Sequence, residues 1–138
     1  MKTVMCFGTF DILHLGHLYY FEHAKKYGDY LIVVIARDKT KQQQQKETVF
    51  SEKERLKLIK CLRMVNEAVL GNIDDHLRII LERKPDVLCL GYDHPISEKE
   101  LQQRLRQRGL TPRIVRIKAY SPHSQKSGKI KQFLLRKI

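Results

Sequence analysis

The sequence predicts an α/β fold, a parallel sheet of five strands with helices on both faces. Two observations carry this. Apolar runs of strand length alternate with helical patterns through the chain of 138 residues, the order that βαβ crossovers require. One run, Tyr30-Leu31-Ile32-Val33-Val34-Ile35-Ala36, is continuously apolar and rich in β-branched residues. A central parallel strand covered on both faces has that composition.

Thr3 to Phe7 reads as a buried strand. Leu18 to Lys26 has a helical pattern, with Leu18, Phe21 and Ala24 apolar and Gly28 as its C-cap. The Tyr30–Ala36 strand completes a βαβ unit. Residues 37–50 are polar, include four consecutive glutamines, and read as a mobile loop, a candidate lid. Ser51-x-x-Glu54 is a capping box that opens a helix to Leu62, with Leu56, Leu58, Ile59 and Leu62 as its apolar face. Glu67 to Leu70 is a short strand, and Asp74 to Arg83 a helix whose first carboxylates suit the helix dipole. Val87 to Leu90 is the fourth strand and Gly91 to Pro95 a loop. Ser97-x-x-Glu100 opens a helix that ends at Gly109. Arg113 to Ile117 is the fifth strand. A loop follows to Gln125, and a basic helix starts at about Ser127.

Composition sets bounds. The length suits one domain, residues 1–138. No apolar run approaches the roughly 20 residues that span a bilayer. The chain enters a strand at once, so no signal peptide is expected. Cys6, Cys61 and Cys89 sit in apolar surroundings at no metal-ligand spacing, which predicts reduced core thiols in a cytoplasmic protein and no protein-held metal. The net charge of +12 invites a nucleic-acid reading. The basic residues are spread along the chain, however, with no aromatic-interleaved basic motif. A small polyanionic substrate accounts for such a charge as well, so neither a nucleic-acid nor a membrane partner is expected.

In parallel sheets, ligands bind beyond the carboxyl ends of the strands. Three segments lie there: Gly8 to His17, Gly91 to His94, and Ala119 to Gly128. The first joins a strand to a helix through Gly8-Thr9-Phe10-Asp11-Ile12-Leu13-His14-Leu15-Gly16-His17. A helix N-terminus offers unpaired N–H groups and partial positive charge, a place for phosphate. Gly16 allows close backbone approach. Two imidazoles three residues apart can donate to a phosphate whose charge grows during displacement.

Gly8-Thr9-Phe10-Asp11 followed by His14-Leu15-Gly16-His17 resembles the nucleotidyltransferases of the cytidylyltransferase family. The likeness extends through Ala24-Lys25-Lys26-x-Gly28-Asp29-x-Leu31, Asp38, Lys46, Arg55 and Gly91-Tyr92-Asp93. It implies a Rossmann-like domain that joins a nucleoside triphosphate to a phosphorylated acceptor and releases pyrophosphate. Two branches are most similar: the archaeal FMN adenylyltransferases, which make FAD, and the glycerol-3-phosphate cytidylyltransferases. The segment Tyr120 to Ile130 lacks the Arg-Thr-x-Gly-Ile-Ser-Thr-Thr type signature of the cytidylyl-transferring members. Gly91-Tyr92-Asp93 also fits the FMN branch better, so ATP and FMN are the expected substrates, with CTP and glycerol 3-phosphate as the alternative.

Roles follow from the resemblance. His14 and His17, with Lys46 as a cation reaching in from the loop, are the expected catalytic residues. Gly8, Thr9, Phe10, Leu15, Gly16, Gly91, Asp93, Tyr120, Ser124 and Ser127 are expected to line the nucleotide site with them. Asp38, Arg55 and His94 are candidates for the acceptor, and Asp11 either contacts the acceptor or orients His17. For Lys46 and Arg55 a plain surface charge is the alternative, and for Tyr120 simple packing. A divalent cation, Mg²⁺ bound through the triphosphate, and a homodimer are implied as well.

Overall fold

The structure, a computed structural model, describes residues 1–120. Among the described residues ten elements follow in chain order: β1 (Thr3–Gly8), α1 (Leu15–Lys25), β2 (Tyr30–Ile35), α2 (Asp38–Gln43), α3 (Glu52–Lys60), β3 (Glu67–Leu70), α4 (Arg78–Arg83), β4 (Val87–Leu90), α5 (Glu98–Gln107) and β5 (Arg113–Arg116). The strands form one all-parallel sheet in the order β3-β2-β1-β4-β5. The chain starts in the centre, runs to one edge, then returns to fill the other side. The reversal falls between β1 and β4.

Period-two alternation divides the sheet between two cores. Val4, Cys6, Leu31, Val33, Ile35, Val87 and Cys89 face α1 and α3, where Phe21, Ala24 and Ile59 meet them. Met5, Ile32, Val34, Leu88 and Leu90 face α4 and α5, where Ile79, Ile80, Leu101 and Leu105 meet them. Both faces are therefore covered, as the unbroken apolar run of β2 demands.

Several expectations are corrected. Helix α1 starts at Leu15 rather than Leu18, because His14 caps it. Its C-cap is Lys26 in right-handed geometry, not Gly28. Gly28 is small for another reason: a Cβ there would lie 2.7 Å from the Lys2 carbonyl oxygen, which accepts from the N–H groups of Asp29 and Tyr30. Residues 37–50 are not all loop. Asp38 lies in the first turn of α2 and Lys41 in its last, each suited to its end of the dipole. The Ser51–Glu54 box forms with both reciprocal bonds. Leu58 of α3 is exposed, and Arg55 takes a fully buried position on that helix.

Helix α4 is shorter than expected. Asp74 and Asp75 lie before it, paired with Arg78 and Arg108 and bonded to backbone amides, so they build the turn instead of a first helical turn. At Ser97 only half of the second box forms: Ser97 accepts from Glu100 N–H, while the Glu100 carboxylate pairs with Arg104 at 2.7 Å. Gly109 follows α5 with φ +86°, the left-handed conformation a glycine C′ supplies. Cys61 is exposed, whereas Cys6 and Cys89 are buried neighbours across β1 and β4. The basic helix expected from Ser127 lies outside the described residues. Among the described residues no helix is long and apolar enough to cross a membrane.

Candidate active site

The corner after β1 is built by a glycine and a strained phenylalanine. Phe10 has φ 53°, a conformation costly to a residue with a Cβ. Its ring folds back over Gly8, where an added Cβ would meet three ring carbons at 2.6–2.9 Å. Only glycine leaves that space. The buried ring then meets His17 edge-on, with centroids 5.3 Å apart, and packs against Tyr20 and Phe21. The backbone twist at Phe10 thus sets one wall against which His17 is oriented.

The two histidines cap their own helix. His14 Nδ1 accepts from Gly16 N–H at 3.1 Å, and His17 Nδ1 accepts from His14 N–H at 3.3 Å. This is a capping box with imidazoles in place of the usual hydroxyl and carboxylate. An Nδ1 that accepts has no proton, so both rings carry it on Nε2. The rings stack at 3.9 Å. Burial, and secondarily the neighbouring His14, lowers the pKa of His17 to about 4. Burial lowers His14 too. At neutral pH the pair is uncharged and presents two Nε2–H donors at the positive end of α1. His23, a turn and a half further along, is different: its Nδ1 faces the Tyr19 carbonyl at 2.9 Å and must donate to it.

Behind the corner lies a buried guanidinium. Arg55 has no exposed surface. Its Nη1 donates to the carbonyls of Thr9 at 3.0 Å and Ala36 at 2.8 Å. Its Nε donates to Phe50 O at 3.2 Å, and its Nη2 to Asp38 Oδ1 at 2.7 Å. Asp38 also accepts from Glu52 N–H at 3.0 Å, and Glu52 accepts from Asp38 N–H at 2.8 Å. Burial works to raise the Asp38 carboxyl, but the Glu52 amide and Arg55 outweigh it and hold the group below its usual value. Asp11 is buried, and its two oxygens accept from Val49 N–H and Phe50 N–H, each at 2.8 Å. Arg55 is therefore no surface charge. Together with Asp11 and Asp38 it anchors both ends of residues 37–50 to the histidine corner. Lys46 stands exposed between those anchors.

The other side of the site is the crevice where strand order reverses. Pairing of β1 with β2 continues to Gly8–Ile35, whereas pairing with β4 stops at Cys6–Cys89. The Tyr20 hydroxyl fills the gap, donating to Cys89 O at 2.6 Å and accepting from Phe7 N–H at 3.3 Å. Burial raises its pKa and keeps the proton in place. Sequence reasoning missed Tyr20; the available signal was a phenol on a buried helix face one turn after His17.

The 91–94 loop emerges beside this gap. Tyr92 and Asp93 are exposed, and Gly91 and His94 are half-buried. His94 Nδ1 accepts from Ile96 N–H at 3.3 Å, so it too carries its proton on Nε2. Burial, then Arg116, lowers its pKa against the opposing field of Asp93. After β5, Tyr120 is half exposed, its ring edge-on to Tyr19 at 5.4 Å. Leu15 is exposed at the first position of α1. The loops after β1, β4 and β5 thus leave the same end of the parallel sheet, and Tyr120 reaches Tyr19 of α1. Ser124 and Ser127 lie outside the described residues.

Residues 5–133 match the model of the cytidylyltransferase-like family. The chain is 42% identical over 138 residues to a FAD synthase of Thermoplasma volcanium, an alignment covering 100% of this chain and 97% of that protein. It is 45% identical over 117 residues to a FAD synthase of Methanohalophilus mahii, covering 85% and 82% of the two chains. A crystal structure described as a lipopolysaccharide core biosynthesis protein from Thermoplasma volcanium superposes with a TM-score of 0.86 at 46% identity, over 88% of this chain and 99% of that one. A parallel sheet that reverses at β1, a glycine-histidine corner at the first helix, and a family match running almost end to end place the chain in the cytidylyltransferase-like family.

Proposed function

We propose that this protein is an FMN adenylyltransferase: it transfers AMP from ATP to FMN, giving FAD and pyrophosphate. The observation that carries the reading is identity of 41–42% to proteins named FAD synthase over 96–100% of this chain. The site chemistry fits. A phosphate oxygen of FMN attacks the α-phosphorus of ATP, the bond to the β-phosphate breaks, and pyrophosphate leaves. The nucleophile is already an anion, so no base has to generate it. What the protein supplies is alignment and stabilisation of charge on the transferring and leaving phosphates.

The Nε2–H groups of His14 and His17 donate to the triphosphate, aided by the N-terminus of α1 and the approach over Gly16. Their hydrogen bonds strengthen as negative charge grows on the acceptor oxygens. Lys46 contributes a mobile cation from a segment whose ends Asp11, Asp38 and Arg55 hold in place. Gly8, Thr9 and Phe10 shape the floor, Asp93 accepts from ribose or base, and Tyr120 packs on the nucleotide. Ser124 and Ser127 are assigned to phosphate, and His94 to the acceptor. Mg²⁺ travels with the triphosphate oxygens and offsets their charge. A homodimer belongs to this proposal on the family resemblance, as does a cytoplasmic setting in which the adjacent Cys6 and Cys89 stay as thiols.

The test pairs ATP or CTP with FMN or glycerol 3-phosphate and measures pyrophosphate release together with the product by chromatography. ATP with FMN yields FAD. Turnover of CTP with glycerol 3-phosphate and none of ATP with FMN would overturn the assignment.

A further inference from the structure

We propose that Arg116 is a positioning residue that holds the 91–96 loop in the shape that meets the nucleotide. Arg116 lies at the end of β5, beside the loop that follows β4. Its Nη1 donates to the carbonyls of Gly91 at 2.9 Å and His94 at 3.0 Å. Its Nη2 donates to Ile96 O at 2.6 Å, its Nε donates to the Glu98 carboxylate at 2.8 Å, and Nη2 lies 2.6 Å from that carboxylate as an ion pair. A guanidinium has five N–H donors. Four of them make hydrogen bonds inside the protein, and Nη2 also lies in an ion pair with Glu98. Arg116 is therefore committed chiefly to the protein's own carbonyls and carboxylate, although it stands at the edge of an anion site.

The consequence lies in the loop. Three inward-facing carbonyls within six residues would repel one another without a cation among them. With the guanidinium in place, Gly91, His94 and Ile96 direct their oxygens inward. The Glu98 carboxylate, at the N-terminus of α5, fixes the far side of the fork. Two further bonds depend on that shape: His94 N–H to Gly91 O at 3.2 Å, and Ile96 N–H to His94 Nδ1 at 3.3 Å. The second of these sets the His94 tautomer. Lysine cannot substitute, because a single ammonium cannot serve carbonyls and a carboxylate in the planar fork that Arg116 fills.

The proposal rests on the reading that Asp93 and its neighbours contact the nucleotide. Arg116→Lys, Arg116→Ala and Asp93→Ala would be compared in steady-state kinetics, melting temperature and amide hydrogen exchange. Arg116→Lys is expected to raise the KM for ATP about tenfold, the scale of one lost charge-assisted hydrogen bond, with kcat changed less than about threefold. Exchange of the His94 and Ile96 amides should speed up while the amides of β1 and β2 keep their protection. Asp93→Ala should raise the same KM. If Asp93→Ala raises KM and Arg116→Lys does not, the proposal fails and the reading of the loop stands. A flat KM in Asp93→Ala overturns the reading of the loop and the proposal with it. Equal loss in melting temperature, KM and kcat, with exchange faster throughout the sheet, would assign Arg116 to general stability and overturn the proposal. Should both Arg116 variants fail to fold, Glu98→Gln frees one side of the fork: faster exchange at His94 and Ile96 with a raised KM supports the proposal, and unchanged values overturn it.

Discussion

His14 fixes the tautomer of His17 and is fixed in turn by Gly16: the His14 backbone N–H donates to His17 Nδ1, His14 Nδ1 takes the Gly16 N–H, and the two rings stack at 3.9 Å. The bonds that start the helix are the same bonds that aim both Nε2–H groups outward. Helix capping and the orientation of the two imidazoles are therefore one arrangement in this chain.

That arrangement can be separated by substitution. His17→Ala removes an Nε2–H donor whose value rises with developing charge, so kcat is expected to fall about 100-fold with KM changed less than about threefold. His17→Asn keeps an oxygen near the Nδ1 position and should recover the cap, seen as a restored melting temperature, without recovering turnover. An Asn variant with near-normal kcat would show that the cap is all His17 provides.

The same burial makes stability pH-dependent. The folded-state pKa of His17 is about 4, against 6.5 for a free imidazole. Between those values the unfolded chain binds more protons, so unfolding free energy rises with pH and the stabilisation is lost as pH falls from 6.5 towards 4. The size is about 3 kcal/mol over that window, taken from the shift itself. Urea denaturation at pH 7 and pH 4.5 reads it out, and His17→Asn should flatten part of the slope. An identical slope in wild type and variant would place the titration elsewhere.

Arg55 predicts a stability defect rather than a binding defect. Arg55→Met leaves the carbonyls of Thr9, Ala36 and Phe50 without their donor and Asp38 without its counter-charge. A loss of about 2–4 kcal/mol is expected, somewhat below the figure for a fully buried pair because the Asp38 side chain is one-third exposed. Adding Asp38→Asn to Arg55→Met should cost less than the two changes taken separately. Additive losses would mean that the two side chains do not act as a pair.

Gly8 offers a steric test. Gly8→Ala places a methyl within 2.6 Å of the Phe10 ring and must push it. Overpacking of this kind costs about 1–3 kcal/mol, and the displaced ring no longer fixes His17, so kcat should fall as well. Phe10→Leu in the Gly8→Ala background relieves the clash and should recover stability without recovering turnover. A fully active Gly8→Ala would separate the Phe10 ring from the placement of His17.

The fold was legible wherever a local pattern repeats. Unbroken apolar runs in β1, β2 and β4 marked strands with two buried faces, and the Ser51–Glu54 box marked a helix start from four residues. Reading failed where a residue's partner is distant in the chain. Gly28 looked like a helix cap because glycine commonly ends helices, but its neighbour is the Lys2 carbonyl. Asp74 and Asp75 looked like a first helical turn, but Arg78 and Arg108 hold them in a bend. Tyr20 drew no reading, and Arg55 read as an acceptor candidate or a surface charge, since nothing nearby in sequence announces the carbonyls they reach.

The sequence by itself determined the α/β class, both covered faces of the sheet and the glycine-histidine corner, because each is written in spacings of two to four residues. Tertiary structure alone decided how that corner is held. Asp11 reaches the amides of residues 49 and 50, Arg55 reaches residues 9, 36 and 38, Tyr20 reaches residue 89, and Arg116 reaches residues 91 to 98. Buried polar groups must find partners wherever the fold brings them. Those partners lie up to 69 residues away, a separation that no local pattern encodes.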